Sequence, residues 1–192
     1  MFKTRQQRIV WAVRAALVLA LAVTVAFPHW EQFEGKGMTF RAPFYALSLV
    51  VTPVAWRLRG RRPPYPWTVD VLVIAPFLFD TLGNVFGFYD SYDITDDVLH
   101  VLNWLFLGAA VTLAVRRTGI SKLNAWALGW GVGAIAIIWW EAAEWLVAEL
   151  GTAGLQLTYT DTIGDLVFSS TGGAIGALLA LLVSRPEPQE AR

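Results

Sequence analysis

The 192-residue chain has no cysteine, only two histidines and two methionines, and just 16% charged residues. Without thiols it has no disulfide framework, no cysteine nucleophile and no thiolate zinc site. A soluble domain carries about 25% charged residues, so the shortage of charge argues against a surface bathed in water all round. The 15 Lys and Arg balance the 15 Asp and Glu, and no basic stripe dominates, so nucleic acid is not an expected partner. No glycine-rich loop runs into a lysine to cradle phosphate. No base stands paired with a serine as a hydrolase nucleophile would need.

What the chain does have is apolar bulk. It is 56% hydrophobic with 10 Trp and 11 Phe, and its mean hydropathy is +0.50. A bilayer core is crossed by about 20 apolar residues in helical form. Six stretches qualify: residues 9–27, 43–56, 69–88, 97–115, 124–147 and 161–183. The fold expected is an all-α polytopic membrane bundle forming a single transmembrane domain over 1–192. Pro53 makes the second segment the least certain, and Pro76 is expected to kink the third. Residues 1–27 have the basic start and apolar run of a signal peptide. The run is long, however, and no small-x-small cleavage site precedes Pro28, so it reads as a retained first helix. Thr95, Ser121 and Thr160 are the expected N-caps of the helices that follow them.

The two signs of charge are segregated. If the N-terminus is cytoplasmic, every Lys and Arg except Lys36 and Arg41 falls at or near the cytoplasmic side. That asymmetry predicts an N-in, C-in orientation in a bacterial cytoplasmic membrane. Arg14, about one turn inside the first segment, is expected to snorkel to the headgroups. All acids except Asp70, Glu187 and Glu190 lie toward the other face. Aspartate has little influence on topology, so this second polarity needs its own cause.

Several of these acids lie inside the apolar segments and recur at helical spacing. Asp80 and Asn84 are i, i+4, as are Asp161 and Asp165. Asp96 and Asp97 stand four and three residues before His100, and Glu141 and Glu144 are i, i+3. Each pair shares one helix face, and all lie within about three turns of the outer surface, so four helices aim polar pairs at one level. A charge near the bilayer centre costs about 2.5–3.5 kcal/mol, and no basic residue is expected at that depth. Shared protons or a bound cation would relieve the repulsion.

Carboxylates with one imidazole and no thiol suit Mg²⁺, Mn²⁺, Ca²⁺ or non-haem iron. The di-iron bundle pattern wants two Glu-x-x-His helices. This chain offers Asp-x-x-His and Glu-x-x-Glu, so that pattern is disfavoured. Glycines 129, 131 and 133, and 172, 173 and 176, form small-residue faces for close helix packing. Trp139, Trp140 and Trp145 read as an interfacial aromatic belt.

Asp96-Asp97-Val98-Leu99-His100, Glu141-Ala142-Ala143-Glu144-Trp145 and Asp161-Thr162-Ile163-Gly164-Asp165-Leu166 occur in that order, the last before a Gly/Ala-rich stretch. Together they resemble the signature of the YjdF-like family of predicted bacterial inner-membrane proteins, over roughly residues 75–180. Tyr159-Thr160 stands where a Trp before Asp161 is usual, and Leu166 where Met is common. The resemblance implies Asp97, His100, Glu141, Glu144, Asp161 and Asp165 as a set, and supplies no reaction.

These observations point to a divalent-metal site near the extracytoplasmic side, acting on a lipid or isoprenoid-like substrate as a hydrolase or transferase. Glu141, Glu144, Asp161 and Asp165 are the expected ligands. Asp97 orients His100, which binds the metal or moves a proton. Asp80, Asn84 and Asp96 form the surrounding shell. A cation- or proton-coupled transporter would use the same carboxylates. It would also need a cytoplasmic exit, and the inner halves of the helices carry almost no ionisable residues. An accessory subunit of a membrane complex is the third reading.

Overall fold

The computed structural model describes residues 4–61, 64–151 and 157–183. Lys3, Arg62, Arg185, Arg192, Glu187 and Glu190, which entered the charge reading, lie outside the described residues. The helices are α1 (Arg5–Ala26), α2 (Met38–Leu58), α3 (Trp67–Val85), α4 (Phe88–Ser91), α5 (Thr95–Arg116), α6 (Lys122–Glu149) and α7 (Tyr159–Val183), with a short 3₁₀ turn at Glu31–Phe33. All but α4 are long and apolar enough to cross a membrane. The described residues contain no strand.

Helix ends differ from the sequence reading where local chemistry intervenes. α2 begins at Met38 and runs through both Pro43 and Pro53. α3 stops at Val85, because Gly87 turns the chain with a left-handed φ of 66° and starts the separate α4. Ser121 caps α6 by accepting from the Asn124 N–H. Thr95 does not cap α5; its hydroxyl donates to the Phe88 carbonyl. Thr160 lies inside α7, and Thr158 accepts from the Asp161 N–H in its place.

Successive long helices alternate in direction. One end of the bundle gathers Arg57, Arg59, Arg116 and Arg117, and is called the basic end here. The other gathers the described acids apart from Asp70. The most extensive packing is α5 on α7; α6 packs on both, α3 on α5, and α1 on α3, while α2 packs on α1 and α3. Glycine makes the α5–α7 seam possible. A Cβ on Gly172 or Gly176 would collide with the Val101 or Leu105 carbonyl of α5, and one on Gly108 with the Gly173 carbonyl of α7. Gly131, expected on such a face, meets open space instead.

Arg14 does not snorkel. Its Nη2 donates to both Asp70 oxygens at 2.8 Å, and its Nη1 donates to the Leu49 carbonyl at 2.7 Å. The reason lies in α2. Pro53 has no N–H, so the carbonyl four residues earlier is left without its helical partner, and Arg14 supplies the donor. Asp70, fully buried, is therefore not a solvated acid. The Tyr65 hydroxyl donates to it at 3.0 Å. Partial burial, and after it the Asp70 carboxylate, pushes the Tyr65 phenol well above the usual tyrosine value.

Candidate functional site

A chamber of about 510 Å³ opens at the acidic end and reaches down to Pro76 and Leu107. From Thr95 to Leu107 is about 18 Å along α5 at ~1.5 Å per residue, more than half of a hydrocarbon core of about 30 Å. Asp80, Asp90, Asp93, Asp96, Glu144, Asp161 and Asp165 line it, against Lys36 and Arg41 as the lining cations. The space is strongly acidic.

One wall is organised by Arg41. Its guanidinium donates to Glu144 on α6, lies 3.8 Å from Asp80 on α3, and sits 5.5 Å from the centre of the Trp140 ring. Asp80 is held from every side. Tyr89 donates to Oδ1 at 2.5 Å, Tyr45 to Oδ2 at 2.7 Å, and the Asn84 amide to Oδ2 at 3.4 Å. Burial, and after it Asp80, pushes the Tyr89 phenol well above its ordinary value, so it stays a hydroxyl donor at neutral pH. The expectation that no basic residue reaches the depth of the acids is thus overturned by Arg41. A second segment starting at residue 43 leaves Arg41 in a loop; α2 begins at Met38 instead, and the added turn carries Arg41 into the bundle.

The facing wall holds His100. Its Nδ1 is hydrogen-bonded to Ser169 on α7 at 2.8 Å, and Ser169 is fully buried. Its Nε2 lies 3.4 Å from Asp165 Oδ1 and 3.7 Å from Asp96 Oδ1. One ligand atom from each of Asp96, His100 and Asp165 falls within 4.8 Å of the others. Asp96 and His100 meet because they are one helical turn apart. Asp165 joins them because the glycine seam brings α7 against α5.

The remaining expected residues are placed differently. Asp161 and Glu144 line the chamber outside the three-residue cluster. Asp97 is half-buried on α5 and does not line the chamber. Glu141 is only 7% exposed, and neither of its oxygens has a hydrogen-bond partner among the described residues. Asn84 lines the chamber with its Oδ1 also unclaimed, as does Asn103. Trp139 and Trp145 are exposed as a belt requires, but Trp140 leaves it to stack beside Tyr45 in the chamber wall.

Arg41, Tyr45, Tyr89, Asn103 and Ser169 are not among the residues expected at the site. Only Arg41 and Ser169 carried a sequence signal: a cation among apolar residues, and a hydroxyl one turn beyond Asp165.

No curated protein and no solved structure matches the chain. A family model does, the one described as "Predicted membrane protein (DUF2238)", over residues 9–186. The run of motifs from Asp96 to Leu166 named the same family, and the chain is a multi-pass membrane protein that belongs to it.

Proposed function

We propose that the chamber holds a divalent cation at Asp96, His100 and Asp165 and presents it to a lipid or isoprenoid-like headgroup entering from the acidic end. The supporting observation is the double orientation of His100. When Nδ1 donates to Ser169, the Nε2 lone pair faces two carboxylate oxygens. Its separations of 3.4 and 3.7 Å exceed good hydrogen bonds. The 3.4 Å separation suits atoms that share a metal, since adjacent ligands about 2.1 Å from one ion lie about 3.0–3.5 Å apart, and Asp96 would close by a few tenths of an ångström to join them. Fixing the second ring nitrogen of a metal-binding histidine is a recurrent device.

The mixed nitrogen and oxygen set fits Mn²⁺ or Fe²⁺ better than Ca²⁺. Three protein ligands leave coordination positions for water and substrate. A bound cation would activate water or polarise a phosphoryl oxygen. It would also offset the acidic field that otherwise repels an anionic headgroup. Asn84 and Asn103 offer free acceptors to a metal-bound water or a substrate hydroxyl.

Elemental mass spectrometry of the purified protein tests the reading. Near-stoichiometric metal in the wild type, lost in Asp165→Asn and His100→Ala proteins that stay folded, is the expected result. Absence of metal after reconstitution with Mg²⁺, Mn²⁺, Fe²⁺ and Ca²⁺ would sink it.

Cation translocation is the second reading, and one observation favours it. Leu107 lines both this chamber and a second cavity at the basic end. It predicts metal or proton flux into liposomes, increased by Leu107→Ala.

A further inference from the structure

The second cavity, about 1000 Å³, lies between α2 and α5 with Val69 and Val73 of α3 at its floor. On α5 its wall is Leu107, Ala110, Val111 and Ala114, one helix face at i, i+3, i+4 and i+7. Since α2 packs on α1 and α3, it leaves that face uncovered.

Length and charge identify the occupant. From Leu107 to Arg117 is about 15 Å along the helix, half of a hydrocarbon core of about 30 Å and so the depth of one leaflet. Arg59 and Arg117 stand at the mouth. Arg117 donates through Nη1 to the Pro64 carbonyl at 3.2 Å, leaving most of its fork free. The Arg59 backbone N–H donates to the Ala55 carbonyl at the end of α2, and its exposed guanidinium has no hydrogen bond or ion pair among the described residues. Among the described residues no carboxylate lines this cavity, and the nearby Asp70 is committed to Arg14 and Tyr65. Trp56, in the cavity wall, packs edge-on against Tyr65 at 5.3 Å. Amphipathic rings of this kind sit at headgroup level.

We infer that this groove binds one acyl chain of an anionic phospholipid, with the phosphate held between Arg59 and Arg117. The site is independent of the metal reading and belongs to the leaflet at the basic end. The chain end lies against Leu107, beneath the chamber floor.

Native mass spectrometry of the full chain, equilibrated with equimolar phosphatidylglycerol and phosphatidylcholine, tests this. The wild type is expected to retain one phosphatidylglycerol, preferred by about fivefold per arginine. Arg59→Gln/Arg117→Gln, both at exposed positions, is expected to keep its melting temperature and lose the preference. Val111→Trp fills the groove and is expected to release lipid of either headgroup.

A second measurement does not depend on that bulky variant folding. The chain has no cysteine, so Val111→Cys can carry a single fluorophore. Phosphatidylglycerol brominated on its acyl chain is expected to quench it more than the brominated choline lipid. No retained lipid, equal quenching by the two lipids, or a disulfide-linked Val111→Cys dimer would overturn the inference.

Discussion

Arg41 on α2 and Glu144 on α6 form an ion pair between helices, with Asp80 on the other side of the same guanidinium. All three side chains are less than one-fifth exposed. Arg41→Gln leaves two buried carboxylates uncompensated. A loss of about 3 kcal/mol is expected, read as a large fall in melting temperature in detergent. Glu144→Gln added to Arg41→Gln is expected to restore part of it. Equal stability of the wild type and Arg41→Gln would show that the pair is not formed.

At the basic end, Arg14→Gln strands Asp70, which is 0% exposed. Asp70→Asn added to it removes the charge, and the double variant is expected to be more stable than Arg14→Gln alone, a coupling of at least 1 kcal/mol in a double-mutant cycle. Pro53→Ala is expected to lessen the cost of losing Arg14, because α2 then has an N–H for the Leu49 carbonyl. Thermal unfolding of the wild type, the three single variants and the two double variants with Arg14→Gln reads both effects.

Two glycines separate packing from propensity. Gly176→Ala drives a Cβ into the Leu105 carbonyl, whereas Gly131→Ala meets nothing. The first is expected to lower the melting temperature and, if the Asp96, His100 and Asp165 cluster holds a metal, to weaken that binding by parting α5 from α7. The second is expected to hold or raise stability by up to about 1 kcal/mol.

Ser169→Ala removes the hydrogen bond that fixes the His100 ring. If His100 binds metal, affinity is expected to fall by about 10- to 100-fold with the fold intact. Affinity is also expected to fall as pH drops, because an imidazole must be unprotonated to bind metal. Metal titration of wild type and variant across pH reads both. An unchanged affinity in Ser169→Ala would remove Ser169 from the site.

The folded protein holds the Tyr89 proton more tightly than the unfolded chain does, because of burial and then Asp80. Stability from this group is therefore full below the ordinary tyrosine value of about 10 and lost as pH rises above it. Tyr89→Phe is expected to cost about 1.5–3 kcal/mol near neutrality, the range for a hydrogen bond to a charged group. It is also expected to flatten the alkaline limb of the stability curve.

Hydropathy and helical spacing were enough to number the spans and to pair Asp96 with His100 and Asp80 with Asn84, because both are local properties of one helix. The acids' shared level followed from the same counting. Which pairs meet across helices was a different matter. Asp165 reaches His100 through the Gly172 and Gly176 contacts with α5, and Arg41 reaches Glu144 because α2 starts a turn early. Arg14 turned inward because Pro53 freed a carbonyl on another helix. Such partnerships depend on backbones brought together by packing, and no periodicity within one segment encodes them. The chain alone set the number of spans, the charge polarity and the pairing of polar residues along single helices. The tertiary structure decided that Arg41 neutralises part of the acidic cluster, that Ser169 orients His100, and that Glu141 stands unpartnered outside the chamber wall.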